Sequence, residues 1–269
     1  MSNVFRDDAL AGKTVFIAGA SSGINLGIAR RFAAAGAKLA LISRNPERIA
    51  AAAQTINDEG GTALGIAADV RDYAAVEAAM DQARAALGPF DAVISGAAGN
   101  FIAPVVGMSA NAFKTVIDID LLGTFNVFRA SFDRLQAPGA SLIAISAPQG
   151  AQPKMFQAHA CAAKAGINML VKCLAMEWGP AGIRVNAISP GPIADTEGMA
   201  RLAPTPEAEA ATKARLALRD YGTKQDIADS ALFLCSDNAR YITGLILDCD
   251  GGSGLGDAGG DALTPPVRK

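Results

Sequence analysis

The sequence predicts an α/β fold: one domain on a doubly wound, seven-stranded parallel sheet with helices on both faces. Three observations carry this. Short apolar runs alternate along the chain with longer segments of helical spacing, as expected for parallel strands buried on both faces. The first run, ending at Gly19, passes through a glycine-containing turn directly into a helical pattern. The chain has 269 residues, 51% hydrophobic and 19% charged, which suffices to bury one full core.

The strands are read in order as KTVFIAG (13–19), AKLALIS (37–43), TALGIAADV (62–70), FDAVISGA (90–97), SLIAIS (141–146), IRVNAIS (183–189) and TGLILDCDGG (243–252). Between them lie helical segments. In AKAGINMLVKCLAMEWG, Ala163, Ile167, Leu170, Val171 and Leu174 recur at intervals of three and four, so one face is apolar. No repeat or interior linker divides the chain. Residues 1–252 are therefore read as a single domain, and the Gly-rich, Pro-containing stretch 253–269 as a loose tail.

A net charge of −2 with scattered basic residues argues against a nucleic-acid or anionic-membrane partner. No apolar stretch is long enough to span a bilayer. MSNVFRDDALAGK lacks the pattern of a leader, and the last two residues are Arg-Lys rather than part of a Ser-Lys-Leu address. A cytoplasmic location is the expectation. Four widely spaced cysteines and a single histidine predict neither a metal site nor a disulfide framework.

The glycine turn has the context that gives such a motif meaning. A helix N-terminus presents unpaired N–H groups to a pyrophosphate, and Gly19 and Gly23 let the backbone approach it. Ser21, Ser22, Asn25 and Leu26 complete the turn; a plain tight turn is the alternative. After the second strand, Ser43 and Arg44 stand where an acidic residue would hold the ribose of NAD. An arginine there suits a 2′-phosphate, so NADP(H) is favoured, against the alternative of a solvated arginine opening the next helix. Asp69 and Val70, after the third strand, are placed to bracket the adenine.

GASSGINLG, the Asp69–Val70 pair, SGAAG with Ala97, Lys164, RVNAISPGPIADT and DCDGG, in that order, resemble the short-chain dehydrogenase/reductase family across nearly the whole chain. The resemblance implies a Rossmann-like sheet, a nicotinamide cofactor and a homotetramer. It also implies that Pro190, Gly191, Pro192 and Ile193 contact the nicotinamide carboxamide and that Thr196 lies near the phosphates. Asn25 replaces a family glycine, and its tolerance of left-handed backbone is expected to preserve the turn.

The departures carry more information than the matches. The family's Asn, Ser, Tyr and Lys positions hold Asp120, Ala147, Ala160 and Lys164 here. The family's tyrosine exchanges a proton with the oxygen on the hydride-accepting carbon, and the lysine holds the nicotinamide ribose and lowers the phenol's pKa. Alanine does neither, which argues against ordinary carbonyl or alcohol redox.

The remaining motifs, AAGNF, NAFKTVIDID, GTFNV, AKAG, MEWGP, PGPI and TEGMARL, resemble the 2,4-dienoyl-CoA reductases, the peroxisomal type above all. The mitochondrial type has a catalytic tyrosine at the position of Gln149; the peroxisomal type lacks it and relies on an aspartate, here Asp120, with water. This branch implies an acyl-CoA substrate, with Asn100 donating to the thioester oxygen, Lys164 anchoring the ribose and Asp120 orienting a proton-delivering water. It places Arg44, Arg71, Phe101, Ser109 and Arg201 toward substrate, the last on a mobile helical lid.

Reduction of a conjugated dienoyl thioester sends charge to a distant oxygen, so no phenol is needed beside the hydride acceptor. Bland alternatives exist for each residue: a loop-capping asparagine, a satisfied buried carboxylate, a solvated lysine. His159 neighbours Ala160, but successive helical residues point about 100° apart, so it is expected to face elsewhere. Two other readings of the whole remain open: reduction of another activated alkene or enoyl thioester, and a non-catalytic dinucleotide-binding scaffold or sensor.

Overall fold

In the computed structural model, which describes Arg6 and residues 8–260, each of the seven apolar runs contains a strand. These are β1 (Thr14–Ala18), β2 (Lys38–Ser43), β3 (Thr62–Ala67), β4 (Ala92–Ser95), β5 (Ser141–Ile145), β6 (Arg184–Pro190) and β7 (Ile246–Cys249). They form one parallel sheet in the order β3-β2-β1-β4-β5-β6-β7. The principal helices are α1 (Gly23–Ala34), α2 (Pro46–Asp58), α3 (Tyr73–Leu87), α4 (Ala110–Ile117), α5 (Gly123–Ser131), α6 (Ala158–Trp178), α7 (Glu197–Leu202), α8 (Pro206–Lys213) and α9 (Lys224–Cys235).

Every residue of β1, β4 and β5 is buried, because alternate side chains serve two cores. Val15 and Ile17 pack with Ile28 and Phe32 of α1 and Ile227 and Leu232 of α9. Phe16 and Ala18 pack on the opposite side with Met80 of α3, Phe128 of α5 and Val171 of α6. Phe16, Phe32, Phe90 and Phe128 are fully enclosed, each contributing about 1.5–3 kcal/mol by burial. On α6 the buried positions include Ala163, Ile167, Val171 and Leu174, the apolar face expected from their spacing, with Leu170 half-buried beside them.

Local chemistry sets the helix starts. Asn45, Asp72 and Thr223 cap α2, α3 and α9 through their side chains, and Thr223 forms a reciprocal capping box with Asp226. At α1, Ser22 occupies the cap position without any side-chain cap bond. Between α4 and α5 the chain makes a π-helical turn over Asp118–Leu122, a widening of the helix that carries Asp120 inward.

The described part of the C-terminal stretch, 253–260, forms a 3-10 turn over Ser253–Leu255 and is tied to residues 215–219. Ala258 N–H donates to the Arg215 carbonyl at 3.0 Å, Arg215 pairs with Asp257 at 3.0 Å, and Arg219 donates to the Gly260 carbonyl. The rest of the expected loose tail lies outside the described residues.

Candidate active site

Strand order reverses between β1 and β4, so the loops leaving their C-terminal ends diverge and open a crevice, the usual ligand position in such sheets. A cleft of about 830 Å³ occupies it. Gly19 sits at φ +79°, and a Cβ there would lie 2.7 Å from the Ala97 nitrogen, so only glycine lets the two loops leave their strands this close together before they part. Gly23, at φ +63°, opens α1 with open space where a side chain would be. Ser22 makes no side-chain cap bond, and Gly23, Ile24 and Asn25 at the start of α1 line the cleft, so the N–H groups that a helix start leaves free of intrahelical bonds suit a pyrophosphate there.

Asn25 does not adopt the left-handed backbone expected of a glycine replacement. It is helical, and its buried amide donates to the Ala18 and Gly19 carbonyls at 3.2 and 3.3 Å. Gly23 supplies the positive φ instead.

At the far end of the cleft stand Ser43, Arg44, Asp69, Val70 and Arg71. Arg71 grips the Asp69 carboxylate through two nitrogens, and that guanidinium holds the Asp69 carboxyl below its ordinary range, with Arg44 adding to the effect. Arg48 also lines this end and lies 3.7 Å from Glu197. It was missed in the sequence, although it stands in the first turn of α2, just after the segment that carries Arg44. Lys224, also missed, adds another cation to the cleft wall.

Lys164 lines the cleft from α6, with its side chain only 9% exposed. Its Nζ donates to the Ile145 carbonyl at 3.1 Å and lies 3.1 Å from Asp120 Oδ2. An ammonium has three donors, so one remains for the cleft. The other Asp120 oxygen accepts the Gly99 N–H at 2.7 Å. The carboxylate is thus buried beneath the cleft, joining the lysine to the loop after β4. Ala147 lines the cleft beside them, while Ala160 is buried at 3% exposure; neither offers a hydroxyl.

Most of the expected cofactor residues meet on this cleft: Gly19, Ser21, Ser22, Gly23, Asn25, Leu26, Ser43, Arg44, Asp69, Val70, Ala97, Lys164, Pro190, Gly191 and Thr196. Thr196 Oγ1 also caps α7, accepting the Met199 N–H. Pro192 and Ile193 lie off the cleft wall, the first bonded through its carbonyl to Gly222 and the second buried.

Of the substrate candidates, Arg44 and Arg71 line the cleft. Ser109 caps α4 by accepting the Ala112 N–H, and Arg201 is exposed on α7 with Glu197 3.4 Å away. Phe101 stacks on His159 with ring centroids 4.2 Å apart. His159 is fully buried off the cleft wall, its two ring nitrogens unpartnered among the described residues. Asn100 donates to Gln157 Oε1 at 2.9 Å, and Gln149 donates to the same oxygen at 3.0 Å. No spacing in the sequence points to Gln157.

A family model described as enoyl-(acyl carrier protein) reductase matches residues 19–254. The peroxisomal 2,4-dienoyl-CoA reductase of Pongo abelii is 41% identical, over 94% of this chain and 87% of its own. That of Saccharomyces cerevisiae is 40% identical over 92% and 86%. A dehydrogenase/reductase crystal structure from Sinorhizobium meliloti superposes with a TM-score of 0.85 at 34% identity, covering 92% of this chain and 97% of that one. With a seven-stranded parallel sheet, a glycine-lined crevice and Lys164 at its wall, the chain belongs to the short-chain dehydrogenase/reductase family and resembles its peroxisomal 2,4-dienoyl-CoA reductases.

Proposed function

We propose that the protein is an NADPH-dependent reductase of 2,4-dienoyl-CoA thioesters that leaves a 3-enoyl thioester. One observation carries the reading: Lys164 and Asp120 are kept as a buried pair at the cleft, while Ala147 and Ala160 remove both hydroxyls that would serve a carbonyl oxygen. The relatives' names agree with it. Arg44 and Arg48, with no carboxylate at the end of β2, suit a 2′-phosphate.

When bound, NADPH supplies the hydride. Lys164 holds the nicotinamide ribose through its remaining N–H. Asn100 donates to the thioester oxygen, where charge gathers once the far carbon of the diene is reduced. Asp120, acting with Lys164, orients the water that delivers a proton to the α-carbon, leaving the double bond between the β- and γ-carbons. In this reading Arg71 and Arg201 serve the CoA phosphates, which a guanidinium fork suits. A homotetramer goes with this reading: Leu122, Phe125, Met169 and Met176 present apolar side chains outward from neighbouring helices.

The test is purified protein with NADPH and a set of 2,4-dienoyl-CoA esters of increasing length. Bleaching of nicotinamide absorbance in step with loss of the dienoyl chromophore is expected. Cofactor binding without turnover on any ester, unchanged by Asp120→Ala, would favour a non-catalytic role instead.

A further inference from the structure

One ion pair crosses the cofactor cleft. Arg48 stands in the first turn of α2, after β2, and Glu197 opens α7, after β6, while β1, β4 and β5 lie between those two strands in the sheet. Both residues line the cleft, and Arg48 Nη2 lies 3.7 Å from Glu197 Oε1. The other carboxylate oxygen, Oε2, accepts from Arg201 Nη2 at 3.4 Å, four residues along α7.

An anion that approaches Arg48 therefore meets a carboxylate already beside it. Arg44 and Arg48 supply the positive charge that suits a 2′-phosphate at this end of the cleft. Asp69, another carboxylate at that end, is gripped by Arg71 instead. The Arg48 and Glu197 side chains are 57% and 68% exposed, so water screens their attraction and the pair is weak. A phosphate monoester brings more charge and three acceptor oxygens, enough to take the arginine. Giving up Arg48 leaves Glu197 with Arg201, so its charge keeps a partner.

We infer that Glu197 is a specificity-determining residue whose carboxylate competes with the 2′-phosphate of NADPH for Arg48. The inference rests on the NADPH reading and adds to it a residue that opposes the phosphate. Glu197 thereby narrows the margin by which NADPH is preferred over NADH, because NADH carries no group that must displace it.

Glu197→Gln tests this, since glutamine keeps the size of the side chain and removes its charge. Titration of the purified protein with NADPH, without substrate and read by nicotinamide fluorescence, should show Kd falling about two- to fivefold, with Kd for NADH unchanged. In an Arg48→Ala background the same substitution should leave NADPH affinity as it was, since the contested cation is gone. Unchanged or weakened NADPH binding, an equal gain for NADH, or a gain that persists without Arg48 would overturn the inference and leave the reductase reading intact. A wild type that binds NADPH no more tightly than NADH would overturn both the inference and the assignment of the 2′-phosphate to Arg44 and Arg48.

Discussion

Lys164 Nζ lies 3.1 Å from Asp120 Oδ2, and the two side chains are 9% and 2% exposed. A pair so enclosed costs desolvation that its attraction and further hydrogen bonds must offset. Those bonds come from Gly99 to Asp120 and from Lys164 to Ile145. The pair therefore couples the cofactor side of the cleft to the loop that carries Asn100.

Removing one partner strands the other charge. Lys164→Met should cost about 3–5 kcal/mol of stability, read by chemical denaturation. Combining it with Asp120→Asn should cost less than the sum of the two single changes, whereas simple additivity would mean that the charges do not interact.

Arg44 and Arg48 should decide between the two nicotinamide cofactors. Arg44→Ala should raise KM for NADPH about 10- to 100-fold, the value of one charge-assisted hydrogen bond, and leave KM for NADH nearly unchanged. Equal losses for both cofactors would place Arg44 away from the 2′-phosphate.

The loop after β4 leaves no room at Gly96, where a Cβ would run into the Asn25 amide. Gly96→Ala should push that amide off the Ala18 and Gly19 carbonyls, destabilise the protein by about 1–3 kcal/mol and weaken dinucleotide binding. Denaturation and cofactor titration of the variant measure both effects.

Asp69 is held below the ordinary carboxyl range first by its hydrogen bonds from Arg71. A depressed folded-state value adds stability above the unfolded pKa, and this is lost as pH falls through the folded one. Arg71→Ala should bring the Asp69 carboxyl back toward its usual titration, visible by carbon NMR. The stability gap between variant and wild type should be present at about pH 6 and shrink in strong acid.

The sheet was readable because each strand is a short apolar run between helical patterns, as at Val15–Ala18 and Leu142–Ile145, where burial on both faces leaves little polar signal. The glycine turn was readable from its place between the first strand and the first helix, and Lys164 from the resemblance to the family's motifs. Other parts depend on geometry that no local pattern encodes. The π turn that buries Asp120 looks like ordinary helix in NAFKTVIDIDLLGTF. Asn25 supports β1 through its side chain, not its backbone. The meeting of Asn100 and Gln149 on Gln157 joins three segments that only the folded chain brings together.

Isotope placement in the product measures where charge and proton go. With NADPH deuterated at the transferred position, deuterium should appear on the diene carbon farthest from the thioester. With ordinary NADPH in heavy water, it should appear on the α-carbon. Cofactor deuterium on an oxygen-bearing carbon, from efficient turnover of an isolated ketone with dienoyl-CoA left untouched, would contradict the account.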